Sequence, residues 1–340
     1  AGLLKACESS GYAIREPQPS EIRPELFDFQ RSTVQWMLDR ERDEAGINGF
    51  FWQRRDWADT AEAGGSPLYY FPLAGEFRLT RPPLVRGGLL AEEMGLGKTV
   101  EILSLIVRNR RVIPADAELD SHGRPVDDRG RLLSRGTLIV VPVTLVGQWR
   151  DEVAAAAAMP VSATAAATLL GGHVGAAPIA ISKLLAAIAS TGGDGVAAGD
   201  DAVAAAAAVA ISEAEVIVTY KLEGVLHEMD VILTTYDSLR CEGRLKKINW
   251  HRVILDECQE IKTATTQVAT LCQALHAENR WMVSGTPLAS SINDLHGELA
   301  FLGVWPFSLQ NDGFWEGKVA APYRSRSEEG LDLLLALLRV

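Results

Sequence analysis

Short runs of β-branched and aliphatic residues recur along this chain, and polar residues follow each of them. Runs of this length are too short for most helices and are typical of strands that are buried on both faces of a sheet. They predict strands at residues 137–141, 215–220, 230–235, 252–255 and 280–283. A further apolar run at 87–91 precedes a glycine-rich turn.

Between these runs, apolar residues return at helical spacing. Phe29, Val34, Met37 and Leu38 share one face of a predicted helix that starts near residue 26. Further helices are predicted at 100–111, through Trp149 and Glu152, and at 266–276. Strands that alternate with helices indicate an α/β fold with a doubly wound parallel sheet, in which ligands bind at the carboxyl ends of the strands.

Three stretches show neither the short apolar runs of strands nor the helical spacing of apolar residues. Residues 1–24 are polar and rich in proline, which indicates an irregular entry segment. Residues 46–83 are dense in aromatic residues, glycine and proline, and we interpret them as an irregular or hairpin insertion packed by its aromatic rings. A base-stacking platform would use the same ring types. Residues 154–210 are dominated by alanine and other small residues, and we expect a low-complexity, disordered insertion without chemistry.

Composition narrows the class of protein. The 340 residues are 47% hydrophobic and 23% charged, which is typical of a soluble globular protein, and no apolar run approaches a membrane span. The formal net charge of −11 argues against a protein that coats nucleic acid broadly, so that any such contact is expected to be local. The four cysteines lack metal-site spacing, which favours a reducing compartment, cytosol or nucleus.

The sequence GLGKT at residues 95–99 has the composition of a phosphate-binding loop. Its glycines allow a tight turn with inward N–H groups, Lys98 supplies a charge for the β- and γ-phosphates, and the Thr99 hydroxyl is a Mg²⁺ ligand. The general pattern has glycine where this chain has Glu92. The loop alone therefore leaves open a plain surface turn with a solvated lysine.

Two adjacent carboxylates, Asp256 and Glu257, follow the predicted strand at 252–255. An Mg²⁺–nucleotide site needs one such carboxylate at the metal and another to orient and deprotonate the attacking water. A helix N-cap is the alternative for an isolated Asp-Glu pair. Together with Lys98 and Thr99 at an upstream strand end, the pair favours the nucleotide site.

Six ordered motifs carry a family resemblance: Gln30, EEMGLGKT, LIVVPVTLVGQWRDE, VILTTYDSL, DECQ and VSGTPL. This series resembles the first RecA-like lobe of the Swi/Snf-type ATPases of helicase superfamily two. The resemblance covers most of the chain outside the alanine-rich tract. The segments YYFPLAGEFRLTRPPLVRGG and FWEGKVAAPYRSRSEEGLDLLLALL further resemble the SHPRH branch, whose members carry histone-linker, PHD and RING modules.

The resemblance implies an ATP- and Mg²⁺-dependent translocase on double-stranded DNA. It implies a nuclear protein that acts in chromatin remodelling or DNA-damage tolerance, with no membrane partner. Nucleosomes, histones and ubiquitin-pathway proteins are the further partners that it implies, through RING-type ubiquitin ligase and other modules outside this chain. A second RecA-like lobe completes the implied motor.

By motif position, the resemblance also assigns roles to residues. Lys98, Asp256 and Glu257 are expected to be catalytic, and Thr99 and Asp256 to hold Mg²⁺. The nucleotide-binding set is Gln30 at the adenine ring, then Glu93, Met94, Gly95, Leu96, Gly97, Lys98, Thr99 and Val100. The set implied for DNA contact and coupling is Pro142, Thr144, Thr235, Gln259, Ser284, Gly285 and Thr286.

The chain departs from the family pattern at three places. Glu92 replaces the usual aspartate, and DECQ replaces DEGH or DEAH, so that Cys258 and Gln259 are expected to alter coupling. The sequence divides into a lobe at 25–310 and a helical extension at 311–340 toward a second lobe that lies outside it. In the family that lobe supplies an arginine to the γ-phosphate, so the isolated chain is expected to hydrolyse ATP slowly or not at all.

Two other functions use the same features. A non-catalytic binding module retained from a decayed motor would also keep the lobe and would explain the altered DECQ motif. Another P-loop enzyme, such as a kinase or a restriction-type translocase, is the third reading. The SGTP strand end and the TTY element argue against a kinase.

Overall fold

The computed structural model describes residues 12–56, 67–156, 166–169, 230–240, 243–285, 292–307 and 313–337. The helices are α1 (Asp28–Arg42), α2 (Gly46–Phe51), α3 (Lys98–Arg108), α4 (Val146–Ala156), α5 (Gln267–Gln273), α6 (Ile292–Leu302), α7 (Ala321–Arg324) and α8 (Glu328–Leu337). The strands are β1 (Gln53–Arg55), β2 (Leu68–Phe71), β3 (Glu76–Arg78), β4 (Arg86–Ala91), β5 (Leu132–Leu133), β6 (Thr137–Val141), β7 (Ala166–Leu169), β8 (Val231–Thr235), β9 (Ile248–Asp256) and β10 (His276–Ser284). Within these ranges, no helix combines the length and hydropathy that crossing a membrane requires.

Seven of the described strands form one sheet in the order β4-β10-β9-β6-β8-β7, and β5 pairs with the start of β9. Every pairing in this sheet is parallel. The predicted strands at 137–141, 230–235, 252–255 and 280–283 are confirmed, although β9 and β10 begin earlier than predicted. The predicted strand at 215–220 lies outside the described residues.

Alternate residues of the central strands face two separate cores. Ile139 and Val141 of β6 pack with α1, α3 and α4 on one side of the sheet. Leu138 and Val140 pack with α5, α6 and α8 on the other side. Both faces are apolar because helices cover both, which confirms the doubly wound sheet.

Helix α1 confirms the first predicted helix, with one error in its buried face. Val34, Met37 and Leu38 are buried, whereas Phe29, in the first turn of the helix, is 44% exposed. The helix is held to the sheet by Glu41, whose carboxylate accepts two hydrogen bonds from Arg252 of β9, both at 2.5 Å. Burial alone would raise the pKa of Glu41, but the charge of Arg252 and the hydrogen bonds to the carboxylate hold that pKa below its usual value.

The aromatic segment at 46–83 is more regular than predicted. It begins with α2, and β1, β2 and β3 then form a separate antiparallel sheet. Phe51, Trp52 and Phe71 are buried in the core beneath that sheet, whereas Phe50 is exposed. The burial of these three rings supports packing as their role.

Two further predictions concern the alanine-rich insertion and the C-terminal segment. Within the alanine-rich tract, expected to be disordered, Ala166–Leu169 forms β7, because its backbone can pair with the free edge of β8; the rest of the tract beyond Ala156 lies outside the described residues. The C-terminal helices were expected to extend toward another lobe. Helix α8 buries Leu333, Leu334 and Leu337 in the core of this lobe, since they form one apolar face, and the extension toward another lobe stays a prediction.

Candidate nucleotide-binding site

The predicted motifs meet at the carboxyl edge of the parallel sheet. Ser284, the last residue of β10, is paired with Ala91 at the end of β4, and Val283 is paired with Asp256 at the end of β9. The next residue, Gly285, packs so closely on the loop after β4 that an added Cβ would lie 3.4 Å from Met94 Cγ. The parallel register therefore brings together motifs that are far apart in the sequence.

The loop between β4 and α3 has the backbone of an anion-binding turn. Gly95 and Gly97 have φ angles of +86° and +92°, a region that side chains with a Cβ disfavour. Gly97 is the residue before α3, which starts at Lys98 and runs for 11 residues. The first N–H groups of that helix have no partner within the helix, which suits a phosphate group.

The ammonium group of Lys98 lies within the loop between β4 and α3. Its Nζ donates hydrogen bonds to the backbone oxygens of Glu92 and Glu93, each at 2.9 Å. Glu93, Met94 and Leu96 are exposed at the loop surface, whereas Thr99 is half-buried and Val100 packs on the core of α1 and α3. The predicted nucleotide-binding residues of the loop therefore form one continuous surface turn around a single ammonium group.

Gln30 links α1 to this loop. Its Nε2 donates to the carbonyl of Leu96 at 2.9 Å, and its Oε1 accepts from the backbone N–H of Phe27 at 3.0 Å. Its side chain is only 6% exposed. In this conformation both ends of the amide contact protein backbone, and the role of Gln30 at an adenine ring stays a prediction.

A second contact between α1 and the loop involves Glu92. Thr33 Oγ1 donates to Glu92 Oε1 at 3.0 Å, and the fully buried Glu101 of α3 lies beside the same carboxylate. Burial, together with the negative charge of Glu92, raises the pKa of Glu101 to about 10. Glu101 is therefore protonated at neutral pH.

Asp256 is held on three sides. Its Oδ2 accepts from Trp149 Nε1 of α4 at 2.6 Å, its Oδ1 accepts from the backbone N–H of Glu257 at 3.0 Å, and its carbonyl accepts from Tyr236 Oη at 2.8 Å. Burial raises the pKa of Asp256, which the Trp149 hydrogen bond opposes and the charge of Glu257 reinforces. These bonds fix the carboxylate at the end of β9, on the same edge of the sheet as the loop after β4.

Glu257 has an unusual backbone conformation, with φ and ψ of +50° and +56°. This left-handed geometry costs roughly 1–2 kcal/mol for a residue with a Cβ, and strained residues concentrate at functional sites. Its Oε2 accepts from Gln259 Nε2 at 2.6 Å, and Gln259 Oε1 accepts from Ser284 Oγ at 3.0 Å. The glutamine of DECQ thus bridges Glu257 and the end of β10.

Cys258, the other altered residue of DECQ, points into the apolar core. Its side chain is fully buried, and its thiol donates to Glu298 Oε1 of α6 at 3.9 Å. Burial raises the pKa of Cys258 well above its usual range, so the thiol stays neutral. This residue therefore packs behind the site instead of facing it.

The residues implied in DNA contact differ in exposure. Thr144 is exposed and Pro142 is half-buried in the turn after β6. Thr235 is only 4% exposed, and its hydroxyl is hydrogen-bonded to Ser238 Oγ at 2.7 Å, so that this hydroxyl shapes the turn after β8. Thr286 lies outside the described residues.

The residues at this edge fit ATP and Mg²⁺. Thr99 and Asp256 supply a hydroxyl and a carboxylate, the oxygen ligands that Mg²⁺ prefers. Lys98 rests on two backbone carbonyls that a phosphate group can replace as its partner, because phosphate is the stronger acceptor for an ammonium group. The glycine turn and helix N-terminus add uncharged donors for an anion.

Sequence reasoning missed four residues of the site. Thr33 and Glu101 contact Glu92, and Trp149 and Tyr236 contact Asp256. Trp149 lies inside the motif LIVVPVTLVGQWRDE, in a predicted helix. A buried indole N–H needs a hydrogen-bond acceptor, and this need was the one signal that the sequence offered for the contact. The other three contacts depend on long-range packing that no local pattern encodes.

Known relatives cover nearly the whole chain. It is 29% identical over 342 residues to the DNA repair protein rad5 of Emericella nidulans, an alignment that covers 95% of this chain and 26% of that protein. The DNA repair protein RAD5 of Saccharomyces cerevisiae is 25% identical over 384 residues, covering 99% of this chain and 30% of the relative. The chain therefore spans less than a third of either relative.

A solved structure shows the fold of the chain, and a family profile shows its family. The Sulfolobus solfataricus SWI2/SNF2 ATPase core in complex with double-stranded DNA superposes with a TM-score of 0.53 at 17% identity, covering 96% of this chain and 45% of that one. This likeness confirms the RecA-like fold expected from the sequence. The profile of the SNF2-related domain matches residues 29–340. The chain belongs to the SNF2-related domain family.

Proposed function

We propose that this chain is the ATP-binding lobe of a motor that moves along double-stranded DNA. The observation that carries the proposal is the bridge from Glu257 through Gln259 to Ser284, at the same sheet edge as the phosphate loop. A lobe that only bound nucleotide would not require a link between its catalytic carboxylate and a neighbouring strand end. In a motor, such a link couples the state of the nucleotide to the grip on DNA.

The site residues divide the work of binding and hydrolysis. Lys98 and the loop N–H groups hold the β- and γ-phosphates, while Thr99 and Asp256 hold Mg²⁺, which neutralises phosphate charge when it is bound. Glu257 orients the attacking water and accepts its proton, because it is the carboxylate next to the metal ligand that is not fully buried. Gln30 tethers the loop through Leu96, and its amide would have to exchange its backbone partners for the adenine ring when nucleotide binds.

DNA contact falls on the exposed turn after β6. Pro142 and Thr144 lie there at the same edge as the nucleotide site, and a hydroxyl or backbone N–H can contact phosphate oxygens without reading sequence. Ser284, Gly285 and Thr286 then relay the nucleotide state. The solved relative named for its complex with double-stranded DNA supports duplex DNA as the track.

The names of two relatives support a role for the proposed motor in DNA repair. Their names describe DNA repair proteins, and most of their length lies outside the aligned part. We therefore propose a nuclear role in DNA-damage tolerance or chromatin remodelling, with nucleosomes and ubiquitin-pathway proteins contacted by modules outside this chain. A second RecA-like lobe supplies the arginine that makes hydrolysis fast, so this chain alone is expected to turn over slowly.

The test is the DNA-stimulated ATPase rate of a longer protein that joins this chain to its second lobe. Stimulation by duplex DNA is expected in the unaltered protein and is expected to disappear in Lys98→Ala and in Glu257→Gln. Equal rates in the unaltered and Lys98→Ala proteins would refute the proposal. A Glu257→Gln protein that still performs its cellular role would favour the non-catalytic binding module.

A further inference from the structure

Trp149 lies outside every role assigned above, yet it makes the shortest hydrogen bond to Asp256. We propose that Trp149 is a positioning residue, whose indole N–H fixes the Asp256 carboxylate in the orientation that Mg²⁺ binding requires. This inference rests on the proposed function, because it takes Asp256 as the metal ligand. It adds a determinant of metal affinity that lies on a different helix from the ligand.

The geometry leaves the carboxylate little freedom. The terminal torsion of an aspartate has a broad energy minimum, so the backbone alone does not set the plane of its oxygens. Here Trp149 Nε1 holds Oδ2 and the Glu257 N–H holds Oδ1. Each oxygen retains a lone pair for a metal ion, but the direction of both lone pairs is set by these two donors.

The indole is suited to this role and to no other in the site. It donates one hydrogen bond and accepts none, so it is not a metal ligand or a base. Trp149 is 3% exposed and packs among the apolar residues of α3, α4 and the sheet, which locks the ring in place. The hydrogen bond from Trp149 therefore acts by orienting the Asp256 carboxylate. Residues that coordinate a metal ion typically depend on such hydrogen bonds from neighbours that do not touch the metal.

Trp281 offers a matched control in the same chain. It is also a fully buried tryptophan whose Nε1 donates to a buried carboxylate, Glu41 Oε1, at 2.8 Å. Glu41 lies near the end of α1 and pairs with Arg252 at the middle of β9, away from the carboxyl edge. Replacing either tryptophan by phenylalanine removes one indole donor to a buried acid, and only Trp149 contacts the proposed metal ligand.

The experiment measures binding of a fluorescent ATP analogue to the 340-residue chain while Mg²⁺ is titrated. Trp149→Phe is expected to raise the Mg²⁺ concentration at half-saturation by about 10- to 100-fold, the usual cost of losing an outer partner of a metal ligand. Affinity for the analogue in EDTA is expected to stay unchanged. Trp281→Phe is expected to lower the melting temperature without moving the Mg²⁺ midpoint.

Three outcomes would overturn the inference. The first is an unchanged Mg²⁺ midpoint in folded Trp149→Phe, or in Trp149→Leu if the phenylalanine variant does not fold. The second is an equal shift in Trp281→Phe, and the third is that neither Trp149 variant folds, which would make the residue a packing element. Failure of the unaltered chain to bind the analogue with Mg²⁺ would instead refute the proposed function itself.

Discussion

The variant Gly97→Ala tests whether the Gln30 side chain supports the phosphate loop between β4 and α3. The variant Gly95→Ala in the same loop provides a matched comparison. Both glycines have φ near +90°, so an alanine at either position adds roughly 1–2 kcal/mol of backbone strain. A Cβ on Gly95 would meet no atom of the described residues within 4 Å. A Cβ on Gly97 would lie 2.3 Å from Gln30 Nε2, well inside contact distance.

The difference between the two variants follows from the Gln30 bond. The Cβ of Gly97→Ala must displace the buried amide from Leu96 O, and a buried polar group left without its partner costs about 1–3 kcal/mol. Gly97→Ala is therefore expected to lower the free energy of unfolding by about 1–3 kcal/mol more than Gly95→Ala. It is also expected to weaken nucleotide binding more, since the displaced amide no longer positions the loop.

Urea denaturation of the two variants measures the difference, and a double-variant cycle identifies its source. In a Gln30→Ala background, Gly97→Ala should cost no more than Gly95→Ala, because the clashing group is gone. Equal destabilisation by the two glycine variants in the unaltered background would refute the reasoning. It would mean that Gln30 does not rest against the loop.

Three further predictions address the fold, the bridge and the pH response. Glu41→Ala leaves Arg252 buried without its partner and is expected to lower the free energy of unfolding by about 3–5 kcal/mol in urea denaturation, and a loss under about 1 kcal/mol would contradict the buried pair. Gln259→Leu is expected to preserve ATP binding but to slow DNA-stimulated hydrolysis about tenfold or more in the two-lobe protein, because Glu257 loses a charge-assisted hydrogen bond; an unchanged rate would count against the bridge. Burial raises the pKa of Glu298 to about 8 from 4.5, so the folded protein holds a proton that the unfolded chain releases. Stability is therefore expected to fall as pH rises from about 5 to about 8. Glu101 adds to this fall, because its pKa is also raised, so Glu298→Gln should make the fall less steep in urea midpoints taken across that range; an unchanged slope in the variant would contradict the contribution of Glu298.

The motif residues could be placed from sequence because two rules act together. Short apolar runs marked the strands, and in a parallel sheet their carboxyl ends share one edge, so Lys98, Asp256 and Ser284 were expected to meet. The register of β4, β9 and β10 confirms that expectation. What could be predicted was thus the location of each motif on the sheet.

Contacts between side chains from distant segments were not predictable in the same way. Local periodicity carries no information on which acceptor Trp149 meets or which acid lies beside Glu101. Composition also gave no sign of β7, since Ala166–Leu169 pairs with β8 within a tract that was expected to be disordered. The C-terminal leucines were predicted as a helix, but the core that buries them exists only in the folded lobe.

The central claim is that the phosphate loop and the end of β9 form one Mg²⁺–ATP site in this chain. Calorimetric titration of ATP, with and without Mg²⁺, into the unaltered chain, Lys98→Ala and Asp256→Asn tests it most directly. Lys247→Ala is the control, because that exposed lysine precedes β9 at the opposite edge of the sheet. The account predicts that Lys98→Ala abolishes binding, that Asp256→Asn removes only the Mg²⁺-dependent gain in affinity, and that Lys247→Ala changes neither. Equal affinities in the unaltered and Lys98→Ala chains, or a full Mg²⁺ effect in Asp256→Asn, would contradict it.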